Sequence, residues 1–460
     1  MEYRKTYVWV LIILEFKTPM IFHRNPTPLG SGQPLFLILL VCCLSCFFLG
    51  KNTMAREAQP TTGILLADPR GHILFEKNAD SWFIPASTLK VFTALIALES
   101  LGPNFHFTTE FFLDGHLNLK IKGQGDPLLT SREIRTISKR IGAILKKKHI
   151  SEIRGLRVDG TAFKSDISIP GTSRTLNPYD ASVGALSANF NTISFKKRPQ
   201  EKKEVKQPVS STQNLKSIPQ HPTKWISAET ETPLVPFVWK MVATAGMTKG
   251  RIPLPQGTEA LYAGHLFKWF LQGESIKTGQ EVTSEKVNGR DRLIFTWSSP
   301  YDLNQVVAKL LYYSNNFMAN QLFLTLALRE GGTPATLEKG IKVAMAHAAS
   351  LGIKDLVIEE GSGLSRQNRI SPRSMLKILQ AFKPHHALMK YENNEYYKTG
   401  TLQGIRTRCG YFKDKHGALY PFVIMVNQEN KGYGEIKKKL QKKVAAWLPS
   451  LPVSLKPLQH

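Results

Sequence analysis

Cysteine is scarce in this chain, and where it falls removes a class of fold. Of four cysteines in 460 residues, Cys42, Cys43 and Cys46 lie in one apolar run, so Cys409 stands alone in the remainder. A disulfide framework is excluded. Long apolar runs are also few: residues 35–49 (LFLILLVCCLSCFFL) match the length of a signal-peptide core and are short for a membrane span. Export is therefore the expectation, with residues 1–50 as the targeting segment. An earlier apolar stretch at 7–13 and a preamble with few basic residues blur that signal, and a start at Met20 would make it more ordinary. Cys46 follows Leu44 and Ser45 in faint imitation of a lipid-modified cleavage site, but Cys43 stands where an aliphatic residue is expected. No repeat of fixed period is found, and the 12 histidines show no metal-ligand spacing, so neither a metal nor another cofactor is expected.

Positive charge is what the chain has in excess: 61 Lys and Arg against 35 Asp and Glu, a formal +26. Nucleic-acid binding needs more than charge. The chain has no finger-like Cys/His spacing, no groove-sized Lys/Arg helix face and no aromatic–basic motif, so nucleic acid is not an expected partner. The same charge suits an acidic polymer or an anionic membrane surface, and solvated lysine is its plainest reading. With 42% hydrophobic and 21% charged residues the composition is globular, and the length exceeds what one core usually organises. Two or more domains are expected.

Two apolar runs around Asp68-Pro-Arg-Gly71 read as a β-hairpin. Leu89, Phe92, Ile96 and Ala97 follow helical spacing with Pro85 just ahead, which predicts a buried helix starting near Ser87. Asp114-Gly115 between apolar runs signals a second hairpin and the start of a β-rich region. Residues 196–224 turn polar and charged and read as a solvated loop. Helical patterning returns at 303–313, continues after Ser314, and recurs at 337–351. Leu419 to Val426 reads as a strand, and Ile436, Leu440, Val444 and Trp447 form one stripe of a closing helix. An early hairpin, central helices and late strands suggest one domain interrupted by another.

Ser87-Thr-Leu-Lys90 places a hydroxyl and an amine three residues apart, so both emerge on one helix face. A lysine can take a serine proton only if burial or neighbouring cations lower its pKa. Alone the pattern means little, since Ser374-Met-Leu-Lys377 repeats it. Its weight comes from order: penicillin-recognising enzymes add a Ser-x-Asn and a Lys-Thr-Gly downstream. Both have decoys here. Ser314-Asn-Asn316 lies at a junction of two apolar-periodic helices, whereas Ser187-Ala-Asn189 runs into a strand-like segment. Lys398-Thr-Gly400 precedes the last strand and helix, whereas Lys277-Thr-Gly279 sits in a polar stretch. Context favours Ser314, Asn316, Lys398 and Thr399.

With these motifs, and with Gly125-Asp-Pro127, Gly184-Ala-Leu-Ser-Ala-Asn-Phe-Asn191, Gly361-Ser-Gly-Leu-Ser-Arg366 and Lys398-Thr-Gly-Thr-Leu-Gln-Gly404, the chain resembles low-molecular-mass penicillin-binding proteins. These combine DD-carboxypeptidase and endopeptidase activity and carry a large insertion between the first two motifs. The agreement spans most of residues 60–448 and leaves out the first 50 residues and 196–224. It implies an α/β fold: a penicillin-recognising transpeptidase-like domain, antiparallel sheet plus helices, made of residues 51–106 and 295–460, with an inserted β-rich module at 107–294. Ser187 and Lys277 then fall inside the module as structural residues.

The resemblance also implies the chemistry. Ser87, deprotonated by Lys90, would attack a terminal D-Ala-D-Ala carbonyl, with the oxyanion held by the N–H groups of Ser87 and Thr401. Lys398 and Thr399, with Gly400 beside them, would hold the substrate carboxylate on a strand that pairs with peptide. Ser314 would relay a proton to the leaving amine, and Asn316 would orient Lys90 or the substrate amide. Asp159, in Val158-Asp-Gly-Thr-Ala-Phe163, would hold the free amino end of a peptide side chain. The partners implied are peptidoglycan peptides, with β-lactams as covalent inhibitors, and the place of action is periplasmic or otherwise outside the cytoplasm. Cys409, Arg406 and Arg408 depart from a region that is more often small and apolar. Two other readings stay open: a β-lactamase, and a non-catalytic wall sensor.

Overall fold

The computed structural model describes residues 60–446 apart from 174, 198–224, 229–237, 239 and 243–245. The expected targeting segment with its three cysteines, nearly all of the polar stretch 196–224, and Trp447 lie outside the described residues. No helix among the described residues is long and apolar enough to cross a membrane.

Six antiparallel strands form the main sheet, in the order Lys390–Glu392, Glu395–Leu402, Ile405–Lys413, Leu419–Asn427, Thr62–Ala67, Ile73–Lys77. The first hairpin thus completes a sheet whose other strands come from the end of the chain, with Leu65 opposite Val423 and Ile64 opposite Ile424. Successive strand residues face opposite sides, and here both sides are covered. Leu65, Val423 and Met425 join Val91, Phe92 and Leu95 of the helix Lys90–Leu101 and Met375 and Leu379 of Pro372–Phe382 in one core. Ile64, Leu66, Phe422, Ile424 and Val426 meet Leu440 and Val444 of Gly434–Ala446 in another. A strand buried on both faces must be apolar throughout, which is why the segment from Leu419 to Val426 lacks polar alternation. Each such side chain contributes about 1.5–3 kcal/mol on burial.

A second sheet has the order Val282–Ser284, Leu156–Asp159, Leu119–Gly123, His106–Leu113, Arg292–Asp302. Leu156–Asp159 runs parallel to both neighbours. Two helices pack with it: Ser131–Lys147, opened by a Thr130/Glu133 capping box, and Glu259–Gly273. Their Ile134, Ile137, Ile141, Leu145, Phe267 and Leu271 share a core with Phe111 and Ile121. The β-rich region thus also carries two helices that its hairpin signals did not announce. The signal was present, since isoleucine and leucine recur in Ser131–Lys147 at spacings of three and four.

Arg292–Asp302 runs straight into the helix Leu303–Tyr313, where the Asp302 carboxylate accepts the Gln305 N–H at 2.8 Å and the Gln305 side-chain oxygen accepts the Asp302 N–H at 3.1 Å. This reciprocal cap ties the second sheet to the helices that carry the central motif.

Candidate active site

The helix expected from Ser87 opens as a 3₁₀ turn, Ala86–Leu89, before the α-helix Lys90–Leu101. Side chains three apart eclipse in a 3₁₀ turn, so Ser87 and Lys90 stand over one another, with Lys90 Nζ 2.8 Å from Ser87 Oγ. Lys90 is fully buried. Its Nζ also donates to Asn316 Oδ1 at 2.8 Å and to the Ser362 carbonyl at 2.7 Å. Burial drives its pKa well below that of a free lysine; the Lys398 cation lowers it further and the Glu360 carboxylate opposes both.

Ser314 ends Leu303–Tyr313 in a left-handed conformation (φ 55°, ψ 36°), and Asn315 then caps Asn316–Gly331 by accepting the Met318 N–H at 3.0 Å. This sharp turn presents both motif side chains to Lys90 and Lys398. Lys398 Nζ donates to Ser314 Oγ at 2.6 Å and to the Thr399 carbonyl at 2.9 Å. Its burial lowers its pKa to about 8.

Gly400 explains how the strand Glu395–Leu402 comes so close to the Ser87 turn. A Cβ there would lie 2.9 Å from the Ser87 nitrogen, 2.8 Å from the Pro85 carbonyl oxygen and 2.2 Å from Thr407 Oγ1. The Thr407 hydroxyl donates to Pro85 at 2.7 Å, pinning the next strand to the same turn. Lys390–Glu392 pairs only with Glu395–Tyr397, so among the described residues 398–402 keep one strand edge free. Thr401 is exposed on that stretch.

The decoys are accounted for by structure. Ser187 donates to the Gly184 carbonyl at 2.7 Å, and Asn189 is buried against Ser131. Lys277–Thr278 forms a two-residue strand beside Glu152–Ile153. The Ser374 hydroxyl donates to Asp355, while Lys377 reaches the Gly352 carbonyl. Asp159 is 1% exposed; one of its oxygens accepts the Thr161 N–H and hydroxyl at 2.9 and 2.7 Å, and the other accepts the Val287 N–H at 2.8 Å. It shares no hydrogen bond with the Ser87 group. Arg408 binds buried Glu395 and its guanidinium lies 3.6 Å from the Tyr397 ring centre, and Arg406 donates to the Leu402 and Ile405 carbonyls. The two basic departures therefore brace the motif strand.

Glu360 was not singled out in the sequence. Fully buried, it accepts the Ser362 N–H and hydroxyl, the Leu364 N–H and the Asn368 amide at 2.6–2.9 Å. It thereby folds the 361–366 loop whose Ser362 carbonyl receives Lys90. Its only sequence signal is its place just before Gly361, because nothing in a sequence separates a buried glutamate from an exposed one.

Residues 55–395 match the model of the D-Ala-D-Ala carboxypeptidase 3 (S13) family. The chain belongs to that family. As an S13 member it is a serine-type D-Ala-D-Ala carboxypeptidase. It is 24% identical over 423 residues to the D-alanyl-D-alanine carboxypeptidase DacB of Haemophilus influenzae, covering 80% of this chain and 86% of that protein. It is 23% identical over 347 residues to a D-alanyl-D-alanine carboxypeptidase of Actinomadura sp., covering 69% of this chain and 64% of the relative. The crystal structure of penicillin binding protein 4 from Haemophilus influenzae superposes with a TM-score of 0.63 at 19% identity, over 84% of this chain and 96% of that one. The S13 chain therefore has the penicillin-recognising fold that its motifs implied.

Proposed function

We propose that Ser87 is the acyl-forming nucleophile of this carboxypeptidase and Lys90 its general base. One observation carries the assignment. Of the three groups around Lys90 Nζ, Asn316 Oδ1 and the Ser362 carbonyl can only accept, while the Ser87 hydroxyl can also donate. A neutral amine fills this site by donating twice and aiming its lone pair at the Ser87 proton, and burial favours the neutral form.

In the reaction, Ser87 Oγ bonds to the carbonyl carbon of the penultimate D-Ala while its proton passes to Lys90. The C–N bond to the terminal D-Ala breaks, and the leaving amine takes a proton relayed through Ser314. Water then adds to the ester carbonyl and frees Ser87. Oxyanion charge falls to the N–H groups of Ser87 and Thr401, each donor of this kind contributing ~10²–10³ in rate. Lys398 and Thr399 hold the substrate carboxylate, with Gly400 giving the close approach, and the free edge at 398–402 pairs with peptide by strand addition. A β-lactam presents an amide to the same nucleophile and leaves a covalent adduct. Cleavage of cross-links uses the same bond type, so endopeptidase action belongs to this reading. So do export through residues 1–50, action on peptidoglycan outside the cytoplasm, contact of the basic surface with an anionic membrane, and a division into 51–106 plus 295–460 with 107–294 inserted.

Purified wall fragments test the proposal. Wild type should release D-alanine from pentapeptides, and should split cross-linked dimers if endopeptidase action is included. Ser87→Ala should do neither. Rapid turnover of a chromogenic cephalosporin would favour the β-lactamase instead, and penicillin binding with no peptide cleavage would favour the sensor.

A further inference from the structure

The hydrogen bond from Lys398 to Ser314 joins the motif strand to the end of Leu303–Tyr313, and one residue back on each element the two meet again. Tyr313 precedes Ser314, and Tyr397 precedes Lys398. The Tyr313 ring packs edge-on against Tyr312 with 5.0 Å between ring centres, and Lys390 Nζ lies 5.9 Å from the Tyr312 ring centre and 5.6 Å from that of Tyr397. Lys390 opens the strand Lys390–Glu392 and stands opposite Tyr397 in register, so this cluster begins where the free edge at 398–402 stops. Tyr397 is buried, and its hydroxyl donates to Glu392 at 2.8 Å while Glu392 also meets Lys390 at 3.5 Å. Tyr312 and Tyr313 are left in water: at 58% and 71% exposure they are the two most exposed large apolar side chains among the described residues. Adjacent aromatic rings held in the open beside a reactive site mark a surface that a ligand covers.

The direction of the bound substrate says which ligand. With the scissile carbonyl at the Ser87 and Thr401 N–H groups and the carboxylate of the leaving residue at Lys398, the path from Thr401 to Lys398 runs toward the N-terminal end of the motif strand. The acyl half extends the other way. In a pentapeptide the leaving group is a lone D-Ala, which ends at Lys398. In a cross-linked dimer the leaving amine belongs to a second peptide, which must continue past Lys398 to the end where Tyr312, Tyr313 and Lys390 lie.

We propose that Tyr312 and Tyr313, with the Lys390 side chain beside them, form a subsite for the departing peptide of a cross-linked dimer, so that this surface favours endopeptidase over carboxypeptidase action. The inference rests on the assignment of Ser87, Thr401 and Lys398 above. Covering the two rings yields binding that a lone D-Ala cannot collect, since binding energy from remote parts of a substrate serves only the substrate that has them.

The test compares Tyr312→Ala, Tyr313→Ala and Tyr313→Phe in kcat/KM for splitting a purified cross-linked dimer, in kcat/KM for D-alanine release from a monomeric pentapeptide, and in the rate of acylation by benzylpenicillin. Each alanine variant should lose about tenfold on the dimer, mainly through KM, while pentapeptide hydrolysis and penicillin acylation stay within about twofold of wild type. Tyr313→Phe, which keeps the ring, should stay close to wild type on all three. Tyr312 is separated from Ser314 by a residue, so its variant guards against a loss in Tyr313→Ala that comes only from a disturbed motif turn. Unchanged dimer cleavage in both alanine variants, or equal losses on dimer and pentapeptide, would overturn the proposal. So would a wild type that is acylated at Ser87 and releases D-alanine yet splits no dimer. If wild type is not acylated at Ser87 at all, the functional assignment fails instead, so the two failures are distinguishable.

Discussion

Glu360 and Lys90 are joined through a single residue: the Ser362 N–H donates to Glu360 at 2.7 Å, and the Ser362 carbonyl accepts from Lys90 at 2.7 Å. The Lys90 amine is therefore oriented by a loop that one buried carboxylate holds in shape.

Glu360→Gln turns a donor group toward N–H groups that need an acceptor, and each buried donor left unpaired costs about 1–3 kcal/mol. The melting temperature should fall. The Glu360 charge raises the pKa of Lys90 against burial, so its loss should lower that pKa further and move the acid limb of kcat/KM to lower pH. A limb that stays in place while stability falls would leave Glu360 a purely structural role.

Labelled penicillin should acylate Ser87, and Ser87→Ala should abolish labelling. Ser374→Ala and Lys277→Ala should both leave it intact, because Ser374 binds Asp355 and Lys277 lies in an edge pairing with Glu152–Ile153. Labelling that persists in Ser87→Ala, or disappears in Lys277→Ala, would require a different motif set.

The Lys398 pKa of about 8 sets an alkaline limit. A carboxylate-holding cation must stay protonated, so kcat/KM for peptide should decline as pH rises through about 8. The decline runs in that direction because burial has brought the group below the usual lysine range. Lys398→Ala should cost ~10²–10⁴ at neutral pH. Lys398→Arg should retain part of the activity and abolish the limb near 8, since a guanidinium does not titrate there. An identical alkaline limb in the arginine variant would mean that another group titrates.

For Asp159, a recognition role and a structural role give opposite outcomes. A recognition role requires Asp159→Asn to weaken hydrolysis of peptides with a free amino terminus on the diamino acid while sparing stability and penicillin acylation. The geometry favours the other result, because both oxygens accept N–H groups in the chain. Asparagine would present its NH₂ to one of those donors, lowering stability by about 1–3 kcal/mol. Thermal melts alongside kinetics on both substrates decide between them.

Ser87, Lys90, Ser314, Asn316 and Lys398 are all legible in the amino-acid sequence. Motif order and context suffice, since a hydroxyl and an amine three residues apart share a face in any helical turn, and Ser314 sits where two apolar periodicities break. The closing strands are legible because a strand covered on both faces must be apolar throughout. The helices Ser131–Lys147 and Glu259–Gly273 are less so, since their stripes lie among hairpin signals that draw the region toward a β reading.

What the sequence by itself determined was which residues make up the candidate site, because residue type and local spacing are properties of a short segment. Tertiary structure alone decided which charges surround Lys90, why Gly400 cannot bear a side chain, that Arg408 faces Glu395, and that Lys390 reaches Tyr312. Each depends on the packing of segments that meet only once both faces of the sheet are buried. Burial, the quantity that sets a lysine's basicity and a carboxylate's partners, belongs to that packing and has no local signature.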